Sequence, residues 1–237
     1  TEMYSAGIER LTHQPLSFSV SETTEGVHIH IIDAELMGKG EKEKKDLYIE
    51  GVQNNGIINH YEYIINSEGT IEIRHVLKPE GKMPLWFPRI GLTLTVSDAL
   101  DQVKWDGRGP QENYPDRKTG YPMGIYASTV QAMYEPYLMP QDYGLRTDVR
   151  WLQLTTDKGI GLQFKMNEWF NFNIYPYSTD NLTKAMYTYQ LQKQKGMTLN
   201  LDYATTGVGC TARGVFGAYK AMPQEYRRTI SIRPMMK

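Results

Sequence analysis

Two stretches of this chain gather side chains suited to ion pairing and to hydrogen-bonding a polar partner. From Gly107 to Arg117, the charged residues Arg108, Glu112, Asp116 and Arg117 stand among Gly107, Gly109, Pro110 and Pro115, which fix a tight backbone path. The planar guanidinium fork can hold a carboxylate through two parallel hydrogen bonds, so Glu112 or Asp116 with Arg117 predicts an ion pair that locks the loop. Turned outward, the same groups would line a polar cleft or an interface. Pro140, Gln141, Asp142, Arg146, Asp148 and Arg150 repeat this character between Tyr137, Tyr143 and Trp151. Sugar sites combine aromatic stacking faces with hydrogen-bonding forks. With 17 Tyr in the chain, however, most aromatics are expected in the core and on sheet surfaces.

Other residue types offer less. His28 and His30, two apart, share one face of a strand and could bind a metal or exchange protons. No Cys or clustered carboxylate completes a site in the sequence, so structural roles are expected and no metal. Gly207 to Ala212 fits a loose G-x-G-x-x-A, yet no helical pattern or βαβ unit surrounds it, which excludes dinucleotide binding. Asn181-Leu182-Thr183 is a glycosylation sequon that acquires meaning only in a secretory context. Cys210 is the single cysteine, so no intrachain disulfide forms.

The elements that must position these groups are strands, because period-two alternation recurs throughout. The run Tyr61 to Ile65 and the alternating Ile71, Ile73 and Val76 flank Ser67-Glu68-Gly69 and predict a hairpin. Ile90, Leu92, Leu94 and Val96 put four apolar side chains on one strand face. Leu152 and Leu154 lead through Asp157-Lys158-Gly159 into Ile160, Leu162, Phe164 and Met166, a second hairpin. Further strands are predicted at 170–174, 197–201 and 229–232. One helical turn is predicted at 181–186, capped by Ser178 or Thr179, with Asp180 in its first turn. Short strands punctuated by 21 Gly and 12 Pro argue for stacked antiparallel sheets over βαβ units. The mixed charge run from Gly38 to Asp46 reads as a solvated loop. No Pro/Ser-rich linker interrupts the chain, so a single domain over 1–237 is expected.

Composition narrows the partners. Lys plus Arg number 26 against 27 Asp plus Glu, a net charge of −1, which gives no footprint for nucleic acid or an anionic membrane. No stretch approaches the ~20 apolar residues that span a bilayer. A soluble protein is expected, cytoplasmic or periplasmic. The chain opens without Met, as an excised domain would.

Three stretches are more specific than generic β sequence: Trp86 to Leu94 (WFPRIGLTL), Trp105 to Gly120 (WDGRGPQENYPDRKTG) and Pro136 to Trp151 (PYLMPQDYGLRTDVRW). In this order and spacing they resemble the C-terminal, or small-chain, domain of family 2 β-galactosidases. The resemblance covers 86–234 well and the earlier residues by pattern only. The family's W-R-x-x-x-D-N-D segment is absent, so the chain is expected to begin inside the family domain.

The resemblance implies an all-β, antiparallel β-supersandwich of galactose mutarotase type, packed on a catalytic (β/α)₈ barrel and other domains of a parent enzyme that hydrolyses terminal β-galactosides. The two carboxyl groups of a retaining glycosidase, roughly 5 Å apart, then belong to the barrel, as do the Mg²⁺ and Na⁺ of such parents, and this chain alone is predicted inactive and without cofactor. Its implied contribution is a wall of the galactoside pocket, with Glu112, Asp116, Arg117, Gln141, Asp142, Arg146, Arg213 and Phe216 as cleft candidates. After Gly207-Val208-Gly209 the family continues G-D-D-S-W, whose Trp stacks on substrate. Here Cys210 to Gly214 replace that run, and Phe216 or Tyr219 could supply the aromatic. Association into a homo-oligomer is a further possibility. A stand-alone carbohydrate-binding module is the alternative, and an aldose 1-epimerase a lesser one, since that chemistry needs a His and a Glu poised across a sugar ring.

Overall fold

In a computed structural model of the protein, residues 11–37, 55–209 and 214–236 are described. The charge run Gly38 to Asp46, Cys210 and Arg213 lie outside them. The described strands are β1 (Thr12–Thr23), β2 (Gly26–Leu36), β3 (Gly56–Ile65), β4 (Ile71–Glu80), β5 (Arg89–Val96), β6 (Gln102–Arg108), β7 (Met123–Thr129), β8 (Arg146–Thr155), β9 (Gly161–Tyr175), β10 (Met197–Thr205) and β11 (Tyr226–Met235). The all-β, antiparallel class expected from the sequence is what is found. No helix among the described residues is long and apolar enough to cross a membrane. The strands fall into two compact units. The first runs to Pro88 and takes in Ala221–Ser231, and the second comprises Arg89–Lys220 and the residues from Ile232 onward.

In the first unit β1 to β4 form an antiparallel meander. The 66–70 turn closes β3 onto β4 as expected: the Asn66 side-chain oxygen accepts from the backbone of Glu68 and Thr70, and Gly69 takes φ 75°, which a side chain would resist. Register decides which residues share a face. Phe18, Ile31, Tyr61 and His75 form one cross-strand row, whereas Ser19, His30, Glu62 and Arg74 form a row on the opposite face. Toward β4 the first of these faces is buried, and there it carries a polar chain. His75 donates to Asn59 Oδ1 (3.0 Å), Asn59 Nδ2 donates to Asp33 (2.9 Å), and the Tyr61 ring stacks on His75 with centroids 4.1 Å apart.

Burial, with a smaller contribution from His60, pushes His75 down from 6.5 to about 4. Above pH 6.5 the folded and unfolded chains both hold this imidazole neutral. Between pH 6.5 and 4 only the unfolded chain takes up the proton, so stability falls through that window, by about 3 kcal/mol at its acid end. Urea unfolding at pH 7 and pH 4 reads the loss, and His75→Gln should remove most of it. An unchanged pH dependence in that variant would reject His75 as the cause.

In the second unit the strand order is β5-β10-β9-β8-β6-β7. Its centre is aromatic, with Trp105, Phe164, Phe170, Phe172, Leu152 and Leu199 sealed from solvent. Trp105 meets Phe172 edge-on at 5.9 Å and donates its indole N–H to the Arg108 carbonyl. The 155–160 hairpin is found, with Gly159 at φ 77°. The separate strand expected at 170–174 is instead the end of β9, which runs unbroken from Gly161 to Tyr175. β10 and β11 extend the strands expected at 197–201 and 229–232. The helical turn is α1 (Thr179–Lys184). Ser178 caps it through Oγ accepting from Asn181, and Leu182 packs onto Tyr143 and Tyr175.

Two irregularities place the loop chemistry. Gly107 lies within β6 and not in a turn, because a Cβ there would come within 2.9 Å of Val149 Cγ2. In β8 the pairing slips between Arg146 and Trp151, and Asp148 sits at φ 56° inside the slip. Its carboxylate takes Arg108 Nε (2.6 Å) and Lys118 Nζ (2.8 Å). Burial opposes that charge, but the two cations prevail and hold the carboxyl below its ordinary range.

Candidate functional site

In the second unit, the loop between β6 and β7 meets the segment leading into β8, and Glu112 is where they join. Its carboxylate is buried and accepts four hydrogen bonds, two on each oxygen. Tyr114 Oη (3.1 Å) and the Gly144 amide (2.9 Å) donate to Oε2, while Arg117 Nη2 (2.8 Å) and the Tyr137 hydroxyl donate to Oε1. Burial works against the charge, and the four donors outweigh it, so Glu112 lies below the usual carboxylate range. The same contact, added to burial, pushes Tyr137 up to about 12. Of the two carboxylates that the sequence offered to Arg117, the structure pairs Glu112. Arg117 remains half exposed, with its guanidinium 5.2 Å from the centre of the Tyr114 ring.

Asp116 has another role. Its two oxygens accept from the amides of Val208 (3.0 Å) and Gly209 (2.6 Å), so the loop clasps the turn that follows β10. A Cβ at Gly207 would stand 2.3 Å from the Asp116 carboxyl carbon, which is why this turn needs glycine. The Gly207 amide in turn donates to the Tyr219 carbonyl, drawing in the 214–220 segment on which Phe216 is exposed. The loop that follows β6, the 207–209 turn and the Phe216 segment are therefore neighbours.

Asn113 anchors the loop from beneath: its backbone N–H donates to Leu145, and its Oδ1 accepts from the Thr147 amide and hydroxyl. Arg146, a cleft candidate from the sequence, is instead buried. Its guanidinium lies 5.4 Å from the Trp105 ring centre and donates to the Gly144 carbonyl at 2.8 Å. Burial brings its pKa down to about 10.

A second polar cluster, which the sequence did not single out, centres on Arg89 of the PRIG stretch. Arg89 Nη2 lies 3.0 Å from Asp202 Oδ2 and 3.3 Å from Asp142 Oδ2, and it donates to Asn173 Oδ1. Asn173 donates to Asp142 Oδ1 and the Tyr143 carbonyl, and Asn200 donates to Asn173 Oδ1 and Tyr175 Oη. Asp202 is sealed, and burial pushes it up to about 6 despite Arg89. Burial opposes the charge on Arg89, but Asp202 and Asp142 raise its pKa above the ordinary value. Asp142 and Gln141 form the exposed rim of this cluster. Of the cleft candidates, Glu112, Asp116, Arg117, Gln141, Asp142 and Phe216 are thus carried by adjoining loops and strand ends, Arg146 lies beneath them, and Arg213 is outside the described residues.

The first unit holds a group that the sequence left incomplete. Glu62 of β3 approaches His28 Nδ1 to 3.4 Å and His30 Nε2 to 3.9 Å. The register that sets His30 opposite Glu62 supplies the carboxylate that was missing beside the two histidines.

A family model described as "Beta galactosidase small chain" matches residues 8–232. A β-galactosidase of Priestia megaterium (strain DSM 319 / IMG 1521) is 37% identical over 147 residues, which is 62% of this chain and 14% of that protein. A β-galactosidase of Vibrio cholerae serotype O1 is 39% identical over 122 residues, 52% of this chain and 11% of that protein. The matched part of this chain thus spans about one-seventh or less of these relatives' length. Among solved structures, a GalM/aldose epimerase homologue from C. elegans aligns over 93% of this chain and 69% of its own, at 12% identity and a TM-score of 0.42. That likeness is too slight to carry weight.

Proposed function

This chain belongs to the β-galactosidase small-chain family, and we propose on that premise that it is the accessory domain of a β-galactosidase, packing on the catalytic barrel and shaping one wall of the sugar pocket. The observation that carries the reading is the family match itself, which runs from residue 8 to residue 232 and so through both compact units. The same continuity favours a single family domain over the chain. In this reading the parent hydrolyses terminal β-galactosides with carboxylates carried on its barrel, where its Mg²⁺ and Na⁺ also reside.

The carboxylates of the candidate site suit anchoring better than proton transfer. Glu112 is held charged by four donors and has no proton to give at neutral pH, Asp116 is committed to two backbone amides, and Asp202 is sealed from solvent. A retaining glycosidase needs one carboxyl protonated and one free to attack. The exposed groups Arg117, Gln141, Asp142 and Phe216 are those that could face the sugar or the barrel.

The chain alone should therefore show no turnover of a nitrophenyl galactoside and no heat of binding with galactose or lactose. Deleting it from the full-length parent should abolish hydrolysis. Turnover by the isolated chain would overturn the proposal, and sugar binding by it would favour a carbohydrate-binding module.

A further inference from the structure

We propose that His28, His30 and Glu62 form a binding site for a borderline divalent cation of the Zn²⁺ class, built on the β2–β3 face of the first unit and independent of the sugar-pocket reading. The expectation of no metal in this chain rested on two histidines without a third ligand. Strand register removes that objection. His28 and His30 point to one side of β2 because they are two residues apart, and Glu62 lies directly opposite His30 on β3. One donor atom from each residue falls within 4.8 Å of the other two, and this is the one such group among the described residues.

The spacing suits a small cation. Donors about 2.0–2.2 Å from a tetrahedral Zn²⁺ stand roughly 3.3–3.5 Å apart. The observed 3.4 Å from His28 Nδ1 to Glu62 Oε1 already meets this, and the 3.9 Å from His30 Nε2 to the same oxygen closes with a small side-chain rotation. The carboxylate is also oriented from behind. Arg74 Nη1 holds Oε2 at 3.1 Å, which leaves Oε1 as the oxygen facing both imidazoles. Arg74 is itself held by Glu72 at 2.8 Å, so its charge is shared between two carboxylates. An outer partner of this kind fixes ligand orientation in metal sites generally. Two imidazoles and one carboxylate select late first-row ions over Mg²⁺ or Ca²⁺, which prefer all-oxygen shells. His30 is half exposed, so an ion has an entry path and a fourth position open to water.

The test uses the whole chain, stripped with chelator and titrated with ZnCl₂ by calorimetry, with Co²⁺ as a spectroscopic probe. One equivalent should bind, and Co²⁺ should give the visible absorption of a low-coordinate site. His30→Ala and Glu62→Gln should each weaken Zn²⁺ binding at least about 100-fold, more than the loss of an outer-shell partner costs. His13→Ala, away from the cluster, should leave binding unchanged. Circular dichroism checks that each variant is folded. Absence of stoichiometric binding to the unaltered chain, or affinity undiminished in folded His30→Ala and Glu62→Gln, would overturn the proposal.

Discussion

Glu112→Ala is expected to lower the stability of the chain by about 2–5 kcal/mol, because it strands two buried donors that this carboxylate satisfies. The loss exceeds that of an ordinary hydrogen bond because four donors share this carboxylate. Without it the Gly144 amide and the Tyr114 hydroxyl are left unsatisfied in a buried position, each at about 1–3 kcal/mol, while Arg117 can turn to solvent. Glu112→Gln separates charge from shape. A glutamine presents an acceptor to one pair of donors and its NH₂ to the other, so it should fall between the unaltered chain and the alanine variant. Guanidinium unfolding at pH 7 gives both values. A loss below about 1 kcal/mol for Glu112→Ala would mean that the loop is not held through this residue.

Arg89→Met should be comparably costly, about 3–5 kcal/mol at pH 7, for a different reason. Asp202 is sealed, and even with Arg89 present burial keeps its carboxyl at about 6, so without the cation it must take up a proton to stay inside. The paired change Arg89→Met with Asp202→Asn removes both charges and should recover most of the loss, because a neutral pair needs no counter-charge. Equal losses in the single and double variants would show that Arg89 acts through packing and not through Asp202.

Much of the architecture could be read from the sequence wherever one face of a strand is apolar and a glycine marks the turn. The β3–β4 and β8–β9 hairpins satisfy both conditions, and the Ser178 cap of α1 was legible on a separate ground, a side-chain acceptor placed just ahead of the first helical turn. The reading failed where alternation is interrupted without a turn. The stretch Asn167-Glu168-Trp169 in β9 is exposed throughout and looks like a break, although the strand continues through it. Gly107 looks like the start of a loop because a missing side chain is equally the mark of a turn and of a close approach, and only Val149 distinguishes them. The candidate site was legible as a set of motifs but not as a set of contacts. Sequence could offer Arg117 two carboxylates but could not choose between them, since the choice depends on Tyr137 and Gly144 arriving from another segment. The pairing of Arg89 with Asp202, and of Glu62 with His28 and His30, depends on strand register, which no local pattern encodes.

The left-handed backbone at Asp148 carries a consequence for which side chains this position can tolerate. The conformation admits glycine readily, asparagine and aspartate at some cost, and branched residues hardly at all. The neighbouring Arg108 and Lys118 impose a second filter, because both close on a carboxylate. Glycine passes the first filter and fails the second, asparagine passes the first and leaves two cations facing a neutral amide, and glutamate carries the right charge on a longer side chain and a less permissive backbone. Aspartate alone meets both demands, so a single residue at the slip in β8 records at once the geometry of the strand and the charge of the loop it holds.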